Sequence, residues 1–132
     1  MASELRVNTL KDASGNNSVA TSFVASGSAK AWLYAPATVG SISDSFNISS
    51  IDDDGTALAG MNLTSSMGSV NYVTEATHQT TNIANTSNIR GVAFHSKSAG
   101  AMEARAYYTL NDLYVLYEGS IYYNVSAHGD LA

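Results

Sequence analysis

The chain has 132 residues, a net charge of −5 and only six Lys plus Arg, which argues against nucleic acid, since backbone phosphates demand clustered basic side chains. It contains no Cys, so neither a disulfide framework nor a Cys-based zinc site can form. Leu, Ile, Val and Phe together number 27, close to the roughly 20% floor for compact folding, while Ser, Thr and Asn abound.

A chain of this length is one domain, here with an appended arm. With so little bulky apolar surface, burial between identical subunits would supply what a monomeric core lacks. Nothing near the N-terminus joins a basic region to a roughly 7–15-residue apolar run, so no secretory signal is expected. No apolar run approaches the roughly 20 residues of a membrane span, so no membrane insertion is expected either.

Residues 1–28 read as the arm. Leu5 and Val7 alternate with Arg6 and Asn8, a short strand, and a loop follows around Ser14-Gly15-Asn16-Asn17. Val19, Thr21 and Phe23 alternate with Ala20, Ser22 and Val24, a second strand, and Ser26-Gly27-Ser28 reads as a hinge. Two small strands are not stable alone, so Leu5, Val7, Val19 and Phe23 are expected to dock on another chain.

Residues 29–132 read as a body of strands. Trp32 and Tyr34 alternate in the first, with Pro36 expected at its end or on an edge. Phe46, Ile48 and Ser50 then share one face of a strand that runs into Asp52-Asp53-Asp54-Gly55, read as a turn. Ala59, Met61 and Leu63 share a face of the next strand, as do Val92 and Phe94 in Ile89 to Ser96. Met102, Ala104, Ala106, Tyr108 and Leu110 share a face in Ala101 to Leu110. Leu113 to Glu118 and Ile121 to Ala127 flank Gly119-Ser120, a two-residue hairpin signal. About seven strands without a sustained helical stripe predict an all-β fold, an antiparallel β-sandwich with an N-terminal β-arm. Its expected core is Trp32, Phe46, Ile48, Met61, Leu63 and Phe94.

The stretch from Lys30 to Tyr72 carries a resemblance. Lys30-Ala31-Trp32 precedes Asp44-Ser45-Phe46-Asn47-Ile48-Ser49-Ser50-Ile51, then an Asp-rich segment closing on Gly55, then Leu63-Thr64-Ser65-Ser66-Met67 and Asn71-Tyr72. That order resembles a C-terminal β-module of tail-fibre and related virion structural proteins of tailed bacteriophages, especially those of marine bacteria. Ser3-Glu4-Leu5-Arg6-Val7-Asn8-Thr9-Leu10 resembles the segment that often precedes this module. The likeness covers about a third of the chain. It implies a virion protein made in the host bacterial cytoplasm, a homotrimer that contacts other virion proteins through residues 1–28 and a host-surface glycan with its body.

Candidate sites are few. Asp52, Asp53 and Asp54 lack the spacing and later Glu of a calcium loop, and His78, His95 and His128 form no ligand pair, so no metal and no cofactor is expected. No nucleophile elbow is present, so no catalytic residue is assigned. Six of the eight Tyr fall in the last 26 residues. Adjacent pairs must point to opposite faces, which makes Tyr107, Tyr114, Tyr117, Tyr122 and Tyr123 candidates for ligand or subunit contact. The expected function is that of a non-enzymatic small trimeric fibre or spike for host attachment. The alternatives are a capsid decoration protein, favoured by the absence of a shaft, and, more remotely, a glycan-cleaving enzyme.

Overall fold

The computed structural model describes residues 6–36, 41–80, 90–110, 113–116 and 121–132. Strands β1 (Thr9–Lys11) and β2 (Ser18–Ala20) and helix α1 (Thr21–Gly27) form the arm. The body follows as β3 (Ala29–Ala35), β4 (Asp44–Phe46), β5 (Ile48–Gly55), β6 (Leu58–Leu63), β7 (Val73–Thr80), β8 (Arg90–Lys97), β9 (Ala101–Leu110), β10 (Leu113–Leu116) and β11 (Ile121–His128). One sheet has the order β4-β3-β11-β7, and the other runs β10-β9-β6-β5 with β8 also paired to β9. Every pairing is antiparallel. The fold is all-β and sandwich-like. The body has nine described strands against about seven expected, in part because the strand read through Phe46, Ile48 and Ser50 divides into β4 and β5, which lie in different sheets.

The core is built from small side chains. Seven of the seventeen buried apolar residues among those described are Ala, and Met61, Met67 and Met102 are the largest that are fully buried. On β9, Met102, Ala104 and Ala106 face inward, and on β6 Ala59 and Met61 do the same. Ile48 is buried, and Leu63 and Phe94 pack against the cluster from partly buried positions. β3, β9 and the described part of β11 show the period of two that a half-buried sheet requires, whereas β5 buries Ile48 and Ile51 across a bulge and β6 buries Ala59, Gly60 and Met61 in succession.

Trp32 and Phe46 are corrections to the expected core. On β3 the buried face is Ala31, Leu33 and Ala35, which turns Trp32 and Tyr34 to the outside. An interior lined by Ala leaves no room for an indole, so the smaller set goes inward. Phe46 differs for another reason. It ends β4 in one sheet, and Ile48 begins β5 in the other, with Asn47 between them at φ 58°. That left-handed residue breaks the alternation, so Phe46 is exposed while Ile48, two residues on, is buried.

Turns also fall elsewhere. Asp52, Asp53 and Asp54 belong to β5, and the reversal lies at Thr56-Ala57, since Gly55 pairs with Leu58. Gly55 at φ 137° and Ala57 at φ 57° supply its conformation. Gly119-Ser120 lie outside the described residues, and the strands expected to flank them as a hairpin do not pair with each other. β10 pairs with β9, placing Leu113 opposite Leu110, whereas β11 lies in the other sheet between β3 and β7. Leu113 and Ile121 therefore start strands of different layers, a choice that local turn chemistry cannot make.

In the arm, Val19 lies in β2 as a strand residue, but Thr21 onward is helical, so Phe23 sits on α1. The Thr21 N–H donates to the Asn8 carbonyl at 3.0 Å, and its hydroxyl donates to the Val7 carbonyl at 3.0 Å. These bonds turn the chain out of β2. Gly27 closes the helix instead of serving as a hinge, and the Ser28 N–H donates to the Val24 carbonyl. Leu5 and Tyr117 lie outside the described residues.

Candidate functional site

Two exposed surfaces stand out among the described residues, and alternation builds the first. Because Leu33 and Val125 point inward, the outer face of the four-stranded sheet carries Trp32 and Tyr34 from β3, Phe46 and Asp44 from β4, Ser126 and Asn124 from β11, and Glu75 and Thr77 from β7. Registers place Phe46, Trp32, Ser126 and Glu75 in one row and Asp44, Tyr34, Asn124 and Thr77 in the next. Trp32 is 37% exposed, Phe46 51% and Val73, at the same face's edge, 61%. Asp44 and Glu75 are exposed. The face is aromatic at one side and acidic at two points.

The second surface is the arm. Helix α1 buries none of its residues, has no side-chain N-cap and is only seven residues long. Such a helix is marginal without a packing surface. Phe23 is 73% exposed, and Val24, Leu10, Val19 and Val7 are exposed with it. What order the arm has comes from polar ties. Asp12 accepts from the Asn16 N–H and the Asn17 amide, at 2.9 and 2.7 Å, which closes the loop between β1 and β2. Lys30 Nζ donates to the Ala25 carbonyl and the Ser28 hydroxyl, clasping the end of α1 to the start of β3.

The tyrosines divide. Tyr123 is buried in β11, so it belongs to the core and is not a contact residue. Tyr107 is half-buried on β9, with its ring over Gly91: a Cβ there would come within 2.5 Å of the ring. Tyr114 and Tyr122 lie on β10 and β11. Tyr72, which sequence reading left unassigned, is a buried pin. Its hydroxyl lies 2.9 Å from the Ser98 carbonyl and 3.1 Å from that of Ala101, and Lys97 Nζ donates to the Tyr72 carbonyl and sits 4.8 Å from the ring centre. Burial pushes the Tyr72 phenol above its ordinary pKa. The motif Asn71-Tyr72 gave a position but no role.

A cleft of about 410 Å³ opens where the arm approaches the body, lined by Ser26 of the arm and by Ser69, Asn71, Tyr72 and Asp130 of the body. Among the described residues, no group of three His, Cys, Asp or Glu could hold a metal ion. His95 and His128 lie in different sheets. No described helix is long and apolar enough to cross a membrane. The chemistry offered by both surfaces is association: apolar burial edged with charge.

The class defined by these features is an antiparallel, sandwich-like all-β protein with an exposed apolar arm. Comparison with family models, with curated proteins and with solved structures finds no match to this chain.

Proposed function

We propose that this chain is a non-enzymatic structural protein of a tailed-bacteriophage particle, a small trimeric fibre or spike. Its arm fastens it into the assembly, and its β-body is turned toward the host surface. The observation that carries this reading is the arm: five exposed apolar side chains, Val7, Leu10, Val19, Phe23 and Val24, on a segment whose helix buries nothing. Exposing that much apolar surface is costly for an isolated protein and is recovered by docking. The likeness of residues 30–72 to fibre modules points to the same kind of particle. The aromatic and amide groups on the outer sheet face suit a glycan as the host-side ligand, by ring stacking and hydrogen bonding.

The test is location on the particle. Antibody raised against the body and bound to purified virions should label the tail or neck. Labelling of the capsid lattice would replace the fibre reading with a decoration protein, and particles free of the protein would end both. Incubation with host envelope polysaccharide should release no reducing sugar. Release of sugar would make the protein an enzyme.

A further inference from the structure

We propose that the cleft between the arm and the body binds a short neutral saccharide, held by Ser26 from the arm and by Ser69, Asn71 and Asp130 from the body. The inference rests on the reading of the host-side ligand as a glycan, and it gives that ligand a site apart from the outer sheet face.

The body side of the cleft is braced before any ligand arrives. The Gly68 N–H donates to the Asp130 carbonyl at 2.7 Å, the Ala132 N–H donates to the Ser66 carbonyl at 2.9 Å, and Met67 pairs with Leu131. Gly129 makes the approach close, since a Cβ there would come within 2.7 Å of the Tyr72 Cβ. Tyr72 is itself pinned through its hydroxyl to the Ser98 and Ala101 carbonyls. The Asn71 N–H donates to Ser69 Oγ at 3.1 Å, which sets the turn that carries both. Groups fixed in this way lose little freedom when they bind.

Size and chemistry then select the ligand. The cleft measures about 410 Å³, within the roughly 300–1,000 Å³ of small-molecule sites. Its exposed polar side chains are two hydroxyls, one amide and one carboxylate. Hydroxyl and amide groups both donate and accept, and a carboxylate accepts at two oxygens. That set matches a ligand dense in hydroxyl groups. Among the described lining residues there is no basic side chain, and Asp130 repels anions, so a neutral sugar fits and an acidic one does not. One water-exposed carboxylate is too weak a charge to select a cation.

Ser26 lies on the last turn of α1, so a sugar that touches both Ser26 and Asn71 bridges arm and body. It adds to the Lys30 clasp and stabilises the docked arm by mass action.

The test is calorimetric titration of the intact chain with maltose, lactose, N-acetylglucosamine and glucuronic acid. At least one neutral sugar should bind, and glucuronic acid should not. Asp130→Ala removes charge-assisted bonds and should weaken binding about tenfold, with a smaller loss for Asn71→Ala. Both positions are exposed, so circular dichroism and melting should match the parent's. Ser26→Leu, on a helix that buries nothing, fills the arm side of the cleft and serves if either variant misfolds. Saturating sugar should also slow chymotrypsin at Phe23, which is 73% exposed, because the bridge holds α1 in place.

If no neutral sugar binds, or if glucuronic acid binds as tightly as the neutral sugars, the proposal is overturned. Binding that survives all three variants lies elsewhere, the outer sheet face included, and overturns it too. A sugar that binds without slowing the Phe23 cut sits on the body alone, which overturns the bridge. Labelling of virions does not depend on sugar, so the particle reading stands or falls separately.

Discussion

Asn47 settles where the two sheets part. Its amide donates to the carbonyls of Lys30 and Ser65, both at 3.0 Å, and its side-chain oxygen accepts from the Ser65 N–H at 2.7 Å. Asn is among the few side chains that tolerate φ 58°, so one residue supplies both the corner and its fastening. Asn47→Ala loses the hydrogen bonds and strains the backbone, and should cost about 3 kcal/mol in a denaturant titration. Asn47→Gly loses only the bonds and should cost less. Trp32 and Met61 separate in the same assay. Met61→Ala opens a cavity in a fully buried site and should cost about 2–5 kcal/mol, while Trp32→Ala gives up an exposed cross-strand pair with Phe46, worth about 0.2–1 kcal/mol. Equal losses would return the indole to the core.

Tyr72 makes stability depend on pH at the alkaline end. Its folded pKa is raised by burial above the ordinary value near 10, so the native state holds its proton where the unfolded state releases it. The stabilisation is complete below pH 10 or so and declines as pH rises through the folded value. Tyr72→Phe should flatten that part of the stability curve while costing about 1 kcal/mol at neutral pH for the lost hydroxyl bonds to Ser98 and Ala101. An unchanged alkaline limb would mean that other groups control it.

At the scale of elements, the arm and the strands obey different rules. Strands β5, β6 and β9 are held by neighbours on the ladder and by Met61 and Met102 beneath them. Helix α1 has neither kind of support and stays in place through Thr21 at one end and Lys30 at the other. Removing residues 1–28 should therefore leave the melting temperature of the body within a few degrees of the parent's and abolish association. Thermal melts paired with light scattering would show it. A truncated body that unfolds would make the arm part of the fold rather than an attachment to it.

For the whole molecule, the balance is between a thin core and a large amount of sheet. Ala-lined inner faces bring the layers together but bury little area per residue, and burial is worth only about 25 cal/mol per Å². Burying the exposed Phe23 and Val24 of the arm between copies would add to that sum. The expected solution state is a homotrimer, about three times the 13.8 kDa of one chain, with a melting temperature that rises with concentration. A cooperative melt independent of concentration would place the stability within the single chain.

How much of this was legible beforehand depended on the range of the interaction that decided it. Alternation of Met102, Ala104 and Ala106, or of Ala59 and Met61, is local and was sufficient to assign strands and their buried faces, and with them the all-β class. The apolar character of Val19 and Phe23 was legible and both are exposed, although the expected second strand ends at Ala20 and Thr21 onward is helical, with Thr21 bonded back to Asn8 and Val7. The inward side of β3 was not local. Period two states that Trp32 opposes Leu33, but only the small volume left by the facing sheet selects Leu33 for the interior. The same holds for β10 and β11: Gly119-Ser120 signals a reversal, yet partners in opposite layers decide that no hairpin is made. The sequence by itself determined the period of each strand and the composition of the surface. Tertiary structure alone decided which side of β3 and β4 meets the core, because that choice is made by volume between distant segments, and it left Trp32 and Phe46 together on the outside.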